Sequence, residues 1–430
     1  MTHSRRAVAA LAVSASVAAG CRAHEIKRPA QPAISRSCAA ALAENTTDRA
    51  QKDERLDIAR VQEEARGGPK QRQALEQLGL LYVARARITN DPGNYKLAEM
   101  AAECLDSQYP GEPAALLLKG HVLHQLHRFQ DAEHVARTLV AKREFVLDYG
   151  LLGDVLMEQG RLREAADAYQ RMIDLKPFYQ SYTRAAHLRW LKGDLPGAIE
   201  LMRLAIGSAS PRDTESLAWA WTRLAMYQLQ SGRSRDAARS VDRALASEPE
   251  YASALLARGR ILLAIGRGAD AVDVLRRAAS LNPLPEYQWI LADALRLQHR
   301  DEEADVIEQD LQARGASADP RTLALFLATR RIDLAHALTL AEEETHTRAD
   351  VFTLDAHAWA LAANGRVAEA REIMTRALAE GTQDARLFFH AGAIDAAAGR
   401  HREAAQWLEK AHARRNTLFP SESTELRRMR

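Results

Sequence analysis

Among fourteen histidines and three cysteines, one group has the spacing of a metal site. His121, His124 and His127 recur at intervals of three and can share one side of a helix, with His134 nearby. Zinc and copper require convergent imidazoles of this kind. The plainer account is that His127 occupies a turn and the others are polar helix residues. Metal or small-ligand binding through His121 and His124 therefore stands as the alternative function. The signatures of catalysis are missing: there is no Walker loop, HExxH, G-x-S-x-G or CxxC. Gly266-Arg267-Gly268-Ala269-Asp270-Ala271 has the glycine spacing of a phosphate-cradling loop, but no strand precedes it and a turn between two helices explains it. No catalytic residue is assigned. An enzyme is not expected, and no cofactor is expected.

Other chemistry lies at the N-terminus. Arg5 and Arg6 precede an apolar run from Ala7 to Ala19, too short for the ~20 residues that cross a bilayer. A charged start, a short apolar stretch and small residues at its end read as a signal peptide over 1–20. Val17-Ala18-Ala19-Gly20-Cys21 resembles the lipobox of bacterial lipoproteins, with Ala18 where leucine is usual. The resemblance implies acylation of Cys21, an anchor in the lipid membrane and, because Arg22 rather than Asp follows, an outer-membrane protein facing the periplasm. An ordinary signal cut near Ala19 leaves a soluble periplasmic protein as the other option. Export makes a disulfide between Cys38 and Cys104 chemically possible. Residues 21–47, with Pro29 and Pro32 and no hydrophobic periodicity, read as a flexible tether. A leading helix is expected over 48–68, ended by Gly67-Gly68-Pro69.

Composition narrows the scaffold that must position such groups. Hydrophobic residues make up 47% and aromatics only 6%, with alanine abundant. Alanine is the best helix former and a poor core filler, so closely packed helices are expected. Lys plus Arg total 59 against 57 Asp plus Glu, a formal charge of +2. A nucleic-acid binder needs a clear cationic excess, so no nucleic-acid partner is expected.

The remainder repeats itself. The skeleton Gly153, Gly160, Ala165, Tyr169, Met172, Pro177 recurs as Ala225, Gly232, Ala237, Val241, Ala244, Pro249. It recurs again as Gly259, Gly266, Ala271, Leu275, Ala278, Pro283, and the steps from Gly232 to Gly266 and from Gly365 to Gly399 are 34 residues. Small residues suit close helix crossings, the middle glycine ends a first helix in the left-handed region, and the prolines stop the second helix. This period and pattern identify the chain as a member of the tetratricopeptide repeat (TPR) family. The expected fold is all-α: a right-handed superhelical solenoid of about ten helix-turn-helix units over 71–412. A solvated basic tail over 413–430 follows, with Arg414, Arg415, Arg427, Arg428 and Arg430.

The resemblance also implies a concave groove lined by the first helices. Its positions carry Trp190, Trp219, Met226, Arg260, Trp289, Asp293, Arg296, Phe352, Trp359 and Phe389 on this chain. Aromatics interleaved with charges are hot spots for a protein or peptide partner. The expected function is a membrane-tethered scaffold of the cell envelope that binds proteins or peptides in that groove.

Overall fold

The computed structural model describes residues 36–43, 52–89, 91 and 93–429. Residues 1–20, expected as a signal peptide, Cys21 and most of the 21–47 segment lie outside the described residues. Within them, each 34-residue skeleton becomes a helical hairpin, and no strand is present. Helices α1 (Arg36–Ala41) and α2 (Lys52–Ala65) precede the first hairpin, α3 (Gln71–Thr89) with α4 (Gly93–Gln108). Next come α5 (Pro113–Gln125) with α6 (Phe129–Lys142), α7 (Val146–Glu158) with α8 (Leu162–Leu175), and α9 (Tyr179–Leu191) with α10 (Leu195–Ser208). The middle is α11 (Thr214–Gln230) with α12 (Ser234–Ser247), α13 (Ala252–Ala264) with α14 (Gly268–Leu281), and α15 (Pro285–Leu297) with α16 (Asp301–Ala318). The last are α17 (Pro320–Arg330) with α18 (Leu334–Thr347), α19 (Val351–Ala363) with α20 (Val367–Leu378), and α21 (Ala385–Ala397) with α22 (His401–Ala413).

The skeleton positions do what their sizes suggest. A Cβ on Gly153 would lie 2.2 Å from the Tyr169 ring, and one on Gly259 would lie 2.3 Å from Leu275. Glycine is therefore what lets a large residue of the second helix cross the first at close range. Gly160, Gly232 and Gly266 take φ of +73°, +78° and +79° at the bends. His127 takes the same bend at φ +58°, which makes it a turn residue and removes it from the helical trio.

Stacking of the hairpins brings the solenoid back on itself. Lys192 Nζ lies 2.5 Å from Glu380, and the Thr382 hydroxyl donates to the Leu191 carbonyl at 2.5 Å, 191 residues away. One bend earlier, the Ala349 N–H donates to the Glu158 carbonyl at 3.1 Å, and Arg348 pairs with Glu158. The bends after α7 and α9 thus touch the loops that flank α18 and α20, and the first helices between them enclose a lumen.

Both ends depart from the sequence expectation. Residues 36–43 are not tether. Helix α1 packs on α4, where Cys38 and Cys104 form a disulfide with their Cα atoms 4.7 Å apart. Tyr82 Oη donates to the Ala41 carbonyl at 2.8 Å, and Gln62 donates to the carbonyls of Ala41 and Ala43. Nor are residues 413–429 of the expected 413–430 tail solvated throughout. A short 3-10 turn (Arg415–Thr417) leads into α23 (Pro420–Arg428), and Phe419, Glu422 and Leu426 are buried. The arginines signalled exposure, but the intervening Leu418, Phe419 and Leu426 supply an apolar stripe, and Glu422 accepts the Phe419 N–H at 2.8 Å to start the helix.

Candidate functional site

The lumen holds a cavity of ≈300 Å³ whose walls come from first helices and the chain's own C-terminus. Trp190 of α9 stacks on Phe352 of α19, ring centroids 5.3 Å apart. Helix α11 contributes Arg223, Met226, Tyr227 and Gln230, and α13 contributes Arg260. Helices α15, α17 and α19 add Glu286, Arg321, Leu325 and Asp355, while Asp384, Arg386, Thr417 and Phe419 complete the wall. A second cavity of ≈190 Å³ shares Arg223, Met226, Arg260 and Glu286 with the first and adds Trp219, Tyr251 and Tyr287. Together they form a continuous groove along α11, α13 and α15.

The electrostatics are mostly paired. Arg260 contacts Glu286 at 3.0 Å and donates to the Thr417 carbonyl at 3.0 Å. Burial pushes its guanidinium below the usual arginine value, with Glu286 pulling back. Arg386 is clamped on Glu422 by two contacts, one of 3.1 Å. Burial would raise the Glu422 carboxyl, but the Arg386 charge overrides it and holds it low. Asp384 caps α21, accepting the N–H groups of Arg386 and Leu387 at 2.9 and 3.2 Å, and burial raises its pKa. Asp355 contacts His390 Nδ1 at 2.9 Å. Burial, helped by the Arg223 charge, lowers the His187 pKa to about 3, so this ring is neutral near pH 7.

Of the ten groove residues read from the sequence, five line these cavities: Trp190, Trp219, Met226, Arg260 and Phe352. The other five are corrected. Trp289 is fully buried, edge-on to Phe419 at 5.1 Å and to Phe326 at 5.6 Å. Asp293 accepts the N–H and hydroxyl of Ser421 at 2.8 and 2.6 Å and pairs with Arg330 at 2.6 Å. The C-terminal segment therefore occupies the part of the concave face these two would have offered. Phe389 is fully buried beside Trp359, which stacks on His390 at 4.1 Å, so both rings pack the core. Arg296 turns to its own hairpin partner, meeting Asp305 at 2.6 Å and Glu308 at 2.8 Å.

Arg223, Tyr227, Tyr251, Tyr287 and Phe419 were not read as site residues. The C-terminal segment had a signal: Phe419-Pro420-Ser421-Glu422 has the proline and acid of a helix start. Arg223 had one in helical spacing: four residues after Trp219 and three before Met226, it shares their face of α11. Among the described residues His121 and His124 belong to no group of three or more His, Cys, Asp or Glu that could hold a metal ion. Burial lowers His121 to about 4, with the Arg184 charge adding to it, while His124 packs edge-on to Phe129 at 5.5 Å.

An all-α solenoid of stacked hairpins with its first helices facing a lumen defines the class of helical-repeat proteins. Residues 117–180, 151–213 and 222–284 match the family model of the tetratricopeptide repeat, so these stretches of the chain are TPR repeats. No curated protein matches the sequence. Among solved structures, it is similar to a thermophilic TPR protein of Thermus thermophilus. The identity is 22%, covering 43% of this chain and 99% of the other, with a TM-score of 0.37. It is also similar to PilF of Pseudomonas aeruginosa, at 13% identity, covering 66% of this chain and 97% of that one, with a TM-score of 0.33. Repeats of this family build protein-interaction scaffolds and are typically non-enzymatic.

Proposed function

We propose that this chain is an exported scaffold that holds a segment of a partner protein inside the lumen of its superhelix, tethered to a membrane through an acylated Cys21. The observation that carries the binding reading is the groove of ≈300 and ≈190 Å³ lined by Trp190, Trp219, Met226 and Phe352, which pools aromatic and aliphatic surface from successive first helices. The Cys38–Cys104 bond supports export, since disulfides persist in oxidising compartments such as the periplasm. No helix among the described residues is long and apolar enough to cross a membrane. Attachment then falls to the acyl chains, which add ~0.8 kcal/mol per buried methylene. A tethered groove raises the local concentration of its partner at the membrane.

A photo-crosslinking residue at Met226 tests binding in the native cell envelope. The expected result is a discrete adduct that weakens when Trp190 is replaced by alanine. An adduct pattern indifferent to Trp190 would place any partner outside the lumen. Mass spectrometry of the mature N-terminus tests the anchor, and an unmodified N-terminus beyond Cys21 would remove it.

A further inference from the structure

Arg223 stands where the two cavities meet, and it is the arginine of the lumen without an acid. Arg260 has Glu286, Arg386 has Glu422, and Arg321 has Asp350 at 3.5 Å. Among the described residues no carboxylate pairs with Arg223. Its guanidinium lies over Trp190 and Tyr227, 5.6 and 5.5 Å from the ring centroids, and one of its terminal nitrogens reaches His187 Nδ1 at 3.3 Å. His187 is neutral near pH 7, so that contact leaves the positive charge uncompensated. The Arg223 Nε is sealed from solvent with no hydrogen-bond partner. Beside it Tyr227 is 1% exposed, and its hydroxyl, itself sealed from solvent, lies against the Arg223 guanidinium. Arg223 is only half-buried and lines both cavities, so the rest of its guanidinium is open to a ligand.

An arginine can only donate, so the group that satisfies it is an acceptor, and one carrying negative charge gains most. A small free anion would satisfy the guanidinium but leave the flanking rings uncovered. On one side stands the Trp190–Phe352 stack, and on the other the pocket of Trp219, Tyr251 and Tyr287. The chain's own C-terminus shows how this lumen seats such a segment. Phe419 lies against Trp289 and beneath the guanidinium of Arg386, and three residues on, the Glu422 carboxylate closes on the same arginine. We infer that Arg223 forms a vacant subsite for an acidic side chain of an extended partner segment, whose aromatic or aliphatic neighbours enter the ring-lined pockets on either side. This inference rests on the peptide-binding reading of the groove and names the class of segment it accepts.

Three acetylated hexapeptides test it by calorimetry on the full mature chain. The first carries Glu between Phe and Leu in an otherwise neutral, amidated sequence. The second has Gln in place of Glu. The third is the Gln peptide with a free C-terminal carboxylate in place of the amide. The Glu peptide is expected to bind at least tenfold more tightly than the Gln peptide. Arg223→Gln should erase that ratio, while Arg223→Lys, which keeps the charge, retains part of it and controls for folding. Equal binding of the Glu and Gln peptides, or a ratio unchanged in Arg223→Gln, overturns the subsite. A preference for the free terminus alone overturns the assignment to a side chain. Peptide binding that ignores Arg223 leaves the groove's function standing without this subsite. Failure of all three peptides to bind, together with no adduct from Met226 in the envelope, removes both.

Discussion

Gly193→Ala probes the closure that creates the lumen, and Gly266→Ala is its internal control. Both glycines sit at hairpin bends with φ of +79°, so each substitution places a Cβ in the left-handed region at roughly 1–2 kcal/mol. Their surroundings differ. Around Gly266 nothing lies within 4 Å of the added carbon, whereas at Gly193 it would stand 2.4 Å from the Gly381 carbonyl oxygen. Backbone opposes backbone there, so the bend must retreat. The retreat strains the buried bond from Thr382 to the Leu191 carbonyl, the bond from Gln230 to the Gln383 carbonyl, and the Lys192–Glu380 pair. Two hydrogen bonds at about 1 kcal/mol each and a half-exposed ion pair at about 0.5 kcal/mol add roughly 2–3 kcal/mol. Gly193→Ala should therefore destabilise by about 3–5 kcal/mol, against about 1–2 kcal/mol for Gly266→Ala, measured by urea unfolding. Equal destabilisation of the two glycine variants would refute the closure contact as the source of the difference.

The C-terminal segment yields a second test. Trp289→Ala should cost about 3–5 kcal/mol by emptying the space against Phe419 and Phe326, and Glu422→Gln a similar amount by leaving Arg386 buried without its acid. Both should hasten tryptic cleavage after Arg414 or Arg415, and a solvated tail would be cut at the same rate in every variant. Replacing Cys38 and Cys104 by serine frees a 66-residue loop and should lower stability by about 2–4 kcal/mol, with α1 losing hydrogen-exchange protection first. Protection unchanged in α1 would count against the bond. His187 sets a pH dependence. The folded ring takes its proton only near pH 3 and the unfolded ring near 6.5, so between these values the unfolded state binds more protons. Stability present above pH 6.5 should fall by up to about 1.4 kcal/mol per pH unit as pH drops toward 3. His187→Gln should flatten that slope in urea titrations at pH 7 and pH 5, and an unchanged slope would place the proton elsewhere.

How much was legible depends on the range over which each signal acts. The hairpins were legible because each is enforced within about 34 residues, by a glycine that must turn and a small residue that must let Tyr169 or Leu275 pass. His127 was readable as a turn residue for the same reason. Trp190, Trp219, Met226, Arg260 and Phe352 were readable because repeat position alone turns them toward the concave side. Trp289 and Asp293 occupy equivalent positions, yet Phe419 and Ser421 cover them from 128 residues and more away. Arg223 is not one of the repeat positions, but it stands one turn after Trp219 on the same face of α11; what the sequence does not show is that no acid among the described residues comes to meet it.

From the order of its residues this chain determines an all-α stack of ten hairpins, since every unit is specified by local sterics repeated at a fixed step. Tertiary structure decided what that stack encloses. The angle each hairpin adds to its neighbour is too small to read from any one unit. Only its accumulation brings Gly193 to Gly381, lets the C-terminus fill one stretch of the concave face, and leaves Arg223 in the groove beside it with a charge that no acid among the described residues answers.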